Sequence, residues 1–168
     1  MTALHETAER AARIIAQNGF QPATWELLPT KIVMAMTEID EAAYAQSDDE
    51  LAEELADVAI RILVMLQDVW GSDWSDRISG RAVKPRSVAK DMRSFPEAIF
   101  PTFSRLCSAV QHWRHERQKD TEQCLELALL DLWRLADQLL IDLDTAVDMK
   151  LNKNANRMHL HGARRAEA

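Results

Sequence analysis

Four carboxylates stand out for what they could do together. Glu38 and Glu41 lie three residues apart, and so do Glu54 and Asp57, in the stretch KIVMAMTEIDEAAYAQSDDELAEELADVAIRILVML from Lys31 to Leu66. On an α-helix, residues i and i+3 share a face, roughly 5–6 Å apart at Cβ. Each pair is therefore a two-carboxylate claw, and two such helices packed antiparallel can set the claws face to face. Four carboxylates on one spot repel each other unless a cation lies between them. Hard cations such as Mg²⁺ take oxygen ligands and usually share them with substrate phosphates. The apolar pattern separates these four from ordinary solvated acids. Leu51, Leu55, Val58, Ala59, Ile62, Leu63 and Leu66 form a stripe at helical spacing, with Glu54 and Asp57 at its margin. Glu50 and Glu53 can turn further outward. The first claw borders Ile32, Ala35, Met36, Ile39 and Ala42 in the same way.

A second group is basic. Lys150, Asn154 and Arg157 fall at i, i+4 and i+7, one face of a helix near the end of the chain. A lysine offers a point charge and an arginine a fork for phosphate oxygens. The helix dipole also favours cations at a helix C-terminus, so spacing alone leaves both readings open. Lys153 is expected to point elsewhere. Lys31, one turn and more before Glu38, could reach a phosphate or be solvated. A nucleobase would want an aromatic face, and Phe20, Trp25, Trp70, Trp74, Trp113 and Trp133 are the candidates. Aromatics at helical spacing belong more often to the core. Trp25, in a connector just ahead of the first claw, is the favoured one. Asn18 could read a base edge, though helix termination is its simpler role. His5, His112, His115, His159 and His161 show no metal-ligand spacing.

The E-x-x-E, the short turn and the E-x-x-D inside EELADVAIRIL are followed far downstream by AVDMKLNKNANRMHLHG, residues 146 to 162. There Lys150, Asn154 and Arg157 form K-x-x-x-N-x-x-R, and His161 and Gly162 follow. The two features in this order resemble the MazG-like family of all-α nucleoside triphosphate pyrophosphohydrolases, over residues 10–66 and 138–162. The resemblance implies a nucleoside triphosphate substrate cleaved to a monophosphate and pyrophosphate. It implies Mg²⁺, with Mn²⁺ as an alternative, held by Glu38, Glu41, Glu54 and Asp57. One carboxylate, with Glu38 and Glu41 the candidates, would accept the proton of the attacking water. Lys150, Asn154 and Arg157 would hold phosphates, with Lys31 and Trp25 as further substrate contacts and His161 by family analogy alone. Family members that are single hairpins bury their apolar surface by dimerising, so a homodimer is open. The preferred base is open too, and so is a helical module that binds nucleotide or a partner without turnover.

The elements that must position these residues follow from composition and periodicity. The chain has 168 residues, enough for one domain with a real core. A net charge of −7 argues against non-specific binding to nucleic acid or membranes, which needs a basic surface. Only four glycines and five prolines, with 47% apolar residues, suit a helical protein. No apolar run approaches the roughly 18–20 residues of a membrane span. The segment MTALHETAERAARII is amphipathic and charged rather than a signal peptide, so a cytoplasmic location is expected. Cys107 and Cys124 are expected to be reduced and buried.

In order, the spacing predicts a helix over 3–18 ended by Asn18-Gly19, and a second from Pro29 to about Ala45. Ser47 to Glu50 reads as a capping box opening a third helix to Trp70. Residues 71–94 are locally basic and read as a linker with room for one helical turn. A helix follows over 95–117, with Pro101 near its start. Asp120-x-x-Gln123 resembles a capping box opening a helix to about Leu140, and Asp144 can N-cap a last helix over 145–158. The expected fold is all-α: one domain over 1–168, with a metal-binding half at 1–70, the linker, and a second half at 95–162. A faint repeat lays Pro29–Glu41 on Pro96–Ser108 and Ser47–Leu66 on Asp120–Gln138. In that register Glu38 meets Arg105, Glu54 meets Leu127 and Asp57 meets Leu130. The expectation is two packed helical hairpins, the second without a claw, and a fused pseudo-dimer as one origin of the pattern.

Overall fold

The computed structural model describes residues 3–79 and 95–156. They form seven helices: α1 (Ala3–Gln17), α2 (Leu28–Ala43), α3 (Asp48–Trp70), α4 (Asp73–Ser79), α5 (Phe95–Arg114), α6 (Gln118–Gln138) and α7 (Leu143–Asn156). Among the described residues there is no strand, so the all-α expectation holds. No helix among them is long and apolar enough to cross a membrane.

The centre is α3. From Leu55 to Leu66 every residue is buried except Asp57 and Arg61. A helix apolar on nearly every side must be enclosed, and α1, α2, α6 and α7 pack around it. The two exceptions are four residues apart and therefore share one face. The α2/α3 and α5/α6 hairpins join through α3 against α6 and α2 against α5, while α1 and α7 lie on α3 and on each other. The second hairpin contributes Leu125, Leu129 and Leu132, all fully buried. Each such side chain stabilises the fold by roughly 1.5–3 kcal/mol relative to exposure.

The helix ends show which local signals operate. Ser47 Oγ accepts from the Glu50 N–H at 3.1 Å. The Glu50 carboxylate reaches back to the Gln46 N–H at 2.6 Å, one residue before the usual reciprocal partner. Helix α1 ends with Gly19 at φ +79, its N–H on Ala16 O and the Phe20 N–H on Ile15 O. This is the double bond of a Schellman ending, which wants a left-handed residue. Helices α5 and α6 end the same way without glycine. Glu116 (φ 55) and Leu140 (φ 62) occupy the turning position.

Several boundaries differ from the sequence expectations. Helix α6 starts at Gln118, after the Arg117 N-cap, because the turn at Glu116 finishes α5 and lets the next helix begin at once. Asp120 lies within its first turn and pairs with Arg117 at 2.7 Å. Helix α7 is opened by Asp142, which accepts from the Thr145 N–H at 3.0 Å. Asp144 instead accepts from Trp133 Nε1, also at 3.0 Å. Pro101 sits inside α5, beyond its start. The first part of the expected linker is α4, whose Trp74 is fully buried, so this candidate base platform belongs to the core. The rest of that linker, 80–94, lies outside the described residues. Cys124 is buried as expected, but Cys107 is exposed.

The two N-caps also revise the internal register. Matching Ser47 to Arg117 sets Arg61 opposite Asp131, Glu54 opposite Cys124 and Asp57 opposite Leu127. The first hairpin carries a cross-helix pair of Glu38 on α2 with Arg61 on α3. The second carries Arg105 on α5 with Asp131 on α6 at 3.6 Å, the same pairing with the charges exchanged.

Candidate metal and phosphate site

Antiparallel packing of α2 on α3 brings three of the four expected carboxylates together. Glu38, Glu41 and Glu54 each present an oxygen within 4.8 Å of the other two. Glu38 is buried at 6% exposure, Glu54 is half-buried and Glu41 is exposed. The set thus runs from core to solvent along the α2–α3 seam. Glu54 holds its proton above the usual carboxylate range, first because of burial and then because of Asp57, with Glu41 and Glu38 adding to the repulsion.

Asp57 stands beside this trio but turns to a cation. Its Oδ2 lies 2.6 Å from Lys150 Nζ. Burial pushes its pKa up, and Lys150 is the main opposing influence. Lys150 also donates to Glu53 Oε1 at 2.6 Å, and Lys153 reaches the same oxygen at 2.5 Å. One sequence expectation is corrected here: Lys153 does not point elsewhere but pairs with Glu53, which is itself more exposed than Asp57. The packing of α7 on α3 puts both lysines over the start of α3, where a carboxylate is the nearest counter-charge. Two cations on one carboxylate hold Glu53 down at about 2.

Arg61, absent from the sequence candidates, belongs to the same cluster. Its Nε donates to Glu38 Oε1 at 2.6 Å, and a terminal nitrogen lies against the same oxygen. The signal for it was present: Arg61 is i+4 from Asp57 and i+7 from Glu54, the face that carries the claw. Among the described residues no cation pairs with Glu41 or Glu54.

A cleft with a cavity volume of about 280 Å³ opens between α1, α2, α3 and α7; of the four carboxylates only Asp57 lines it, and Arg61, the partner of Glu38, lines it too. Lys31, Asp57, Arg61, Lys150 and Asn154 supply its polar wall, and Phe20, Met34, Ile60 and Met65 are among its apolar lining. Lys31 Nζ donates to Gln21 O at 2.6 Å while facing the cleft. Asp68 accepts from the Ala23 N–H at 2.8 Å and so fixes the connector that forms one rim. Asn18 lines the cleft, its side-chain amide donating to Asn154 O at 3.2 Å.

Trp25 does not line the cleft. It packs edge-on against Trp70, with centroids 6.2 Å apart, and tilted against Trp113 at 6.5 Å. Its carbonyl accepts from Trp113 Nε1 at 2.8 Å. The aromatic in the cleft is Phe20, which is 59% exposed. The chain reverses at Gly19, and the next side chain lines the cleft while Trp25 packs against the core. Arg157 and His161 lie outside the described residues.

The donor set suits a hard divalent cation. All four candidate ligands are carboxylate oxygens, the chemistry Mg²⁺ and Mn²⁺ prefer over softer metals. Glu38, Glu41 and Glu54 would hold such an ion, each offering one oxygen within 4.8 Å of the other two. No family model, no curated protein and no solved structure matches this chain.

Proposed function

We propose that this protein is a Mg²⁺-dependent nucleoside triphosphate pyrophosphohydrolase, cleaving a nucleotide to its monophosphate and pyrophosphate. The observation that supports it is one juxtaposition. Asp57, beside the Glu38, Glu41 and Glu54 cluster, lines a cleft whose other polar residues are Asn18, Lys31, Arg61, Lys150 and Asn154, and Arg61 ties that wall to Glu38. Acids for a cation and bases for phosphates meet at one apolar-walled opening. That is the pairing phosphoanhydride hydrolysis needs, because neutralising and positioning charge is most of its catalysis.

When bound, the divalent cation supplies charge neutralisation and a more acidic water. The chain's own residues do the rest. Glu41, exposed and without a cationic partner among the described residues, is the better placed of Glu38 and Glu41 to accept the water's proton. Glu38 is buried and tied to Arg61. Lys150 and Asn154 on α7 and Lys31 on α2 hold phosphate oxygens. Phe20, in place of Trp25, offers the face on which a base can lie. The apolar lining from Met34, Ile60 and Met65 limits water around the reacting groups.

A second reading has its own support. Arg61 on Glu38 and Lys150 on Asp57 already neutralise two of the four carboxylates. A module that binds a nucleotide or a partner without turnover would keep such pairs. Pyrophosphate release across a panel of nucleoside triphosphates, with Mg²⁺ or with chelator, separates the two. The proposal expects Mg²⁺-dependent release, lost in Glu54→Gln and Glu41→Gln with the helical circular dichroism unchanged. Nucleotide binding with no release under any divalent cation would leave only the second reading.

A further inference from the structure

Arg61 stands on the face of the central run of α3 that packing leaves partly open. It is one of two non-buried residues in the central run of α3, and the other is Asp57. Its side chain is about one-third exposed and faces the cleft. Two of its three nitrogens engage a single oxygen of Glu38, whose own side chain is nearly buried. An arginine normally meets a carboxylate with two parallel bonds to two oxygens. Here the fork is applied to one oxygen, leaving the other for a different partner.

Glu38 therefore has two competitors for its charge. One is Arg61, on the next helix. The other is a divalent cation drawn by Glu41 and Glu54, which lie within 4.8 Å of it. A cation with several carboxylate ligands draws Glu38 more strongly than one guanidinium does, and it repels the guanidinium as well. A freed Arg61 side chain has the cleft in front of it, beside Lys31, Lys150 and Asn154. A polyphosphate is the ligand whose charge and geometry suit an arginine fork there.

We propose that Arg61 is an exchangeable counter-ion, held by Glu38 until a divalent cation takes that carboxylate and then transferred to a phosphate oxygen of the polyphosphate in the cleft. The inference rests on the proposed function in treating Glu38 as a metal ligand. Cation and polyphosphate then favour each other through one moving side chain. Arg61 opposes the cation when it arrives alone and holds the anion when both are present. The coupling is a difference in contacts between two arrangements, as linkage requires.

This makes the two affinities of an Arg61 variant move in opposite directions, which a merely structural residue would not do. Calorimetric titration of the full chain with Mg²⁺ alone, and separately with Mg²⁺-saturated inorganic tripolyphosphate, reads both. In Arg61→Gln, Mg²⁺ alone should bind several-fold more tightly. The tripolyphosphate complex should bind roughly tenfold more weakly, the loss of one charge-assisted hydrogen bond. Arg61→Lys keeps the charge without the fork and should lie between wild type and Arg61→Gln for tripolyphosphate. It also serves if Arg61→Gln leaves Glu38 too poorly compensated to fold. Glu54→Gln tests the reading beneath: it should lose Mg²⁺ binding. If Mg²⁺ binds and Glu54→Gln abolishes it, yet both Arg61 variants match wild type or weaken both ligands together, the Arg61 inference fails and the metal site stands. If the wild type binds no Mg²⁺, both fall.

Discussion

Lys150→Met tests the doubly paired lysine that ties α7 to α3. Lys150 joins α7 to α3 through two ion pairs of 2.6 Å, to Glu53 and Asp57, and its side chain is 9% exposed. Methionine keeps the length and apolar stem but removes the charge. Removing one partner of a buried ion pair costs about 3–5 kcal/mol because the other charge is left uncompensated. Glu53 is 37% exposed and keeps Lys153, so its share is heavily screened. Asp57, 20% exposed, carries most of the effect. The expected loss at neutral pH is about 2–3 kcal/mol, a fall in Tm of roughly 4–12 °C for a chain of this size. The pH dependence gives a second signature. Burial already raises the Asp57 pKa and Lys150 opposes that rise, so the substitution raises it further. A raised acid pKa means the folded state binds a proton the unfolded state does not. Folding is then penalised above that pKa, and the penalty disappears as pH falls through it. The Lys150→Met defect should therefore be largest at pH 7 and shrink on acidification. Urea unfolding at a series of pH values, with Asp57→Asn and the double variant, supplies the cycle. A coupling of about 1–2 kcal/mol between the two sites is expected. Additivity within about 0.5 kcal/mol, or a defect independent of pH, would show that Lys150 acts by packing alone and refute the charge argument.

Three further outcomes follow from other parts of the fold. Glu53, depressed to about 2 by Lys150 and Lys153, contributes stability that is present above its ordinary 4.5 and lost as pH falls towards 2; acid unfolding of Glu53→Gln should lack that component. Leu140, left-handed and 85% exposed at the end of α6, should gain about 0.5–1 kcal/mol on change to Gly, read as a higher urea midpoint with unchanged slope. Asp68→Ala leaves the N–H of buried Ala23 without its acceptor and should cost about 1–3 kcal/mol, with faster hydrogen exchange at Ala23.

Periodicity made the helices legible. The stripe from Leu51 to Leu66, the glycine at 19 and the serine at 47 act within a few residues, where sequence order and spatial order coincide. The same locality located Glu38, Glu41 and Glu54, because claws at i and i+3 on adjoining helices of a short-turn hairpin have few ways not to meet. The signals that misled were also local. Asp120 and Asp144 have the composition of caps, but the preceding turns at Glu116 and Leu140 decided where the next helices began. A non-glycine residue in a left-handed turn gives no sign of itself in composition.

What no spacing could give is which charges choose each other. The sequence places Lys150 almost a hundred residues from Glu53 and Asp57, and only the packing of α7 on α3 makes them neighbours. Arg61 has no visible partner in the sequence, and only the packing of α2 on α3 brings Glu38 to it. Trp25 and Phe20 are both aromatic and both lie in the connector ahead of the first claw, yet one packs against the core and the other lines the cleft. Helix formation is settled by neighbours in sequence. The pairing of charges depends on a dielectric and a distance that exist only after the helices have packed.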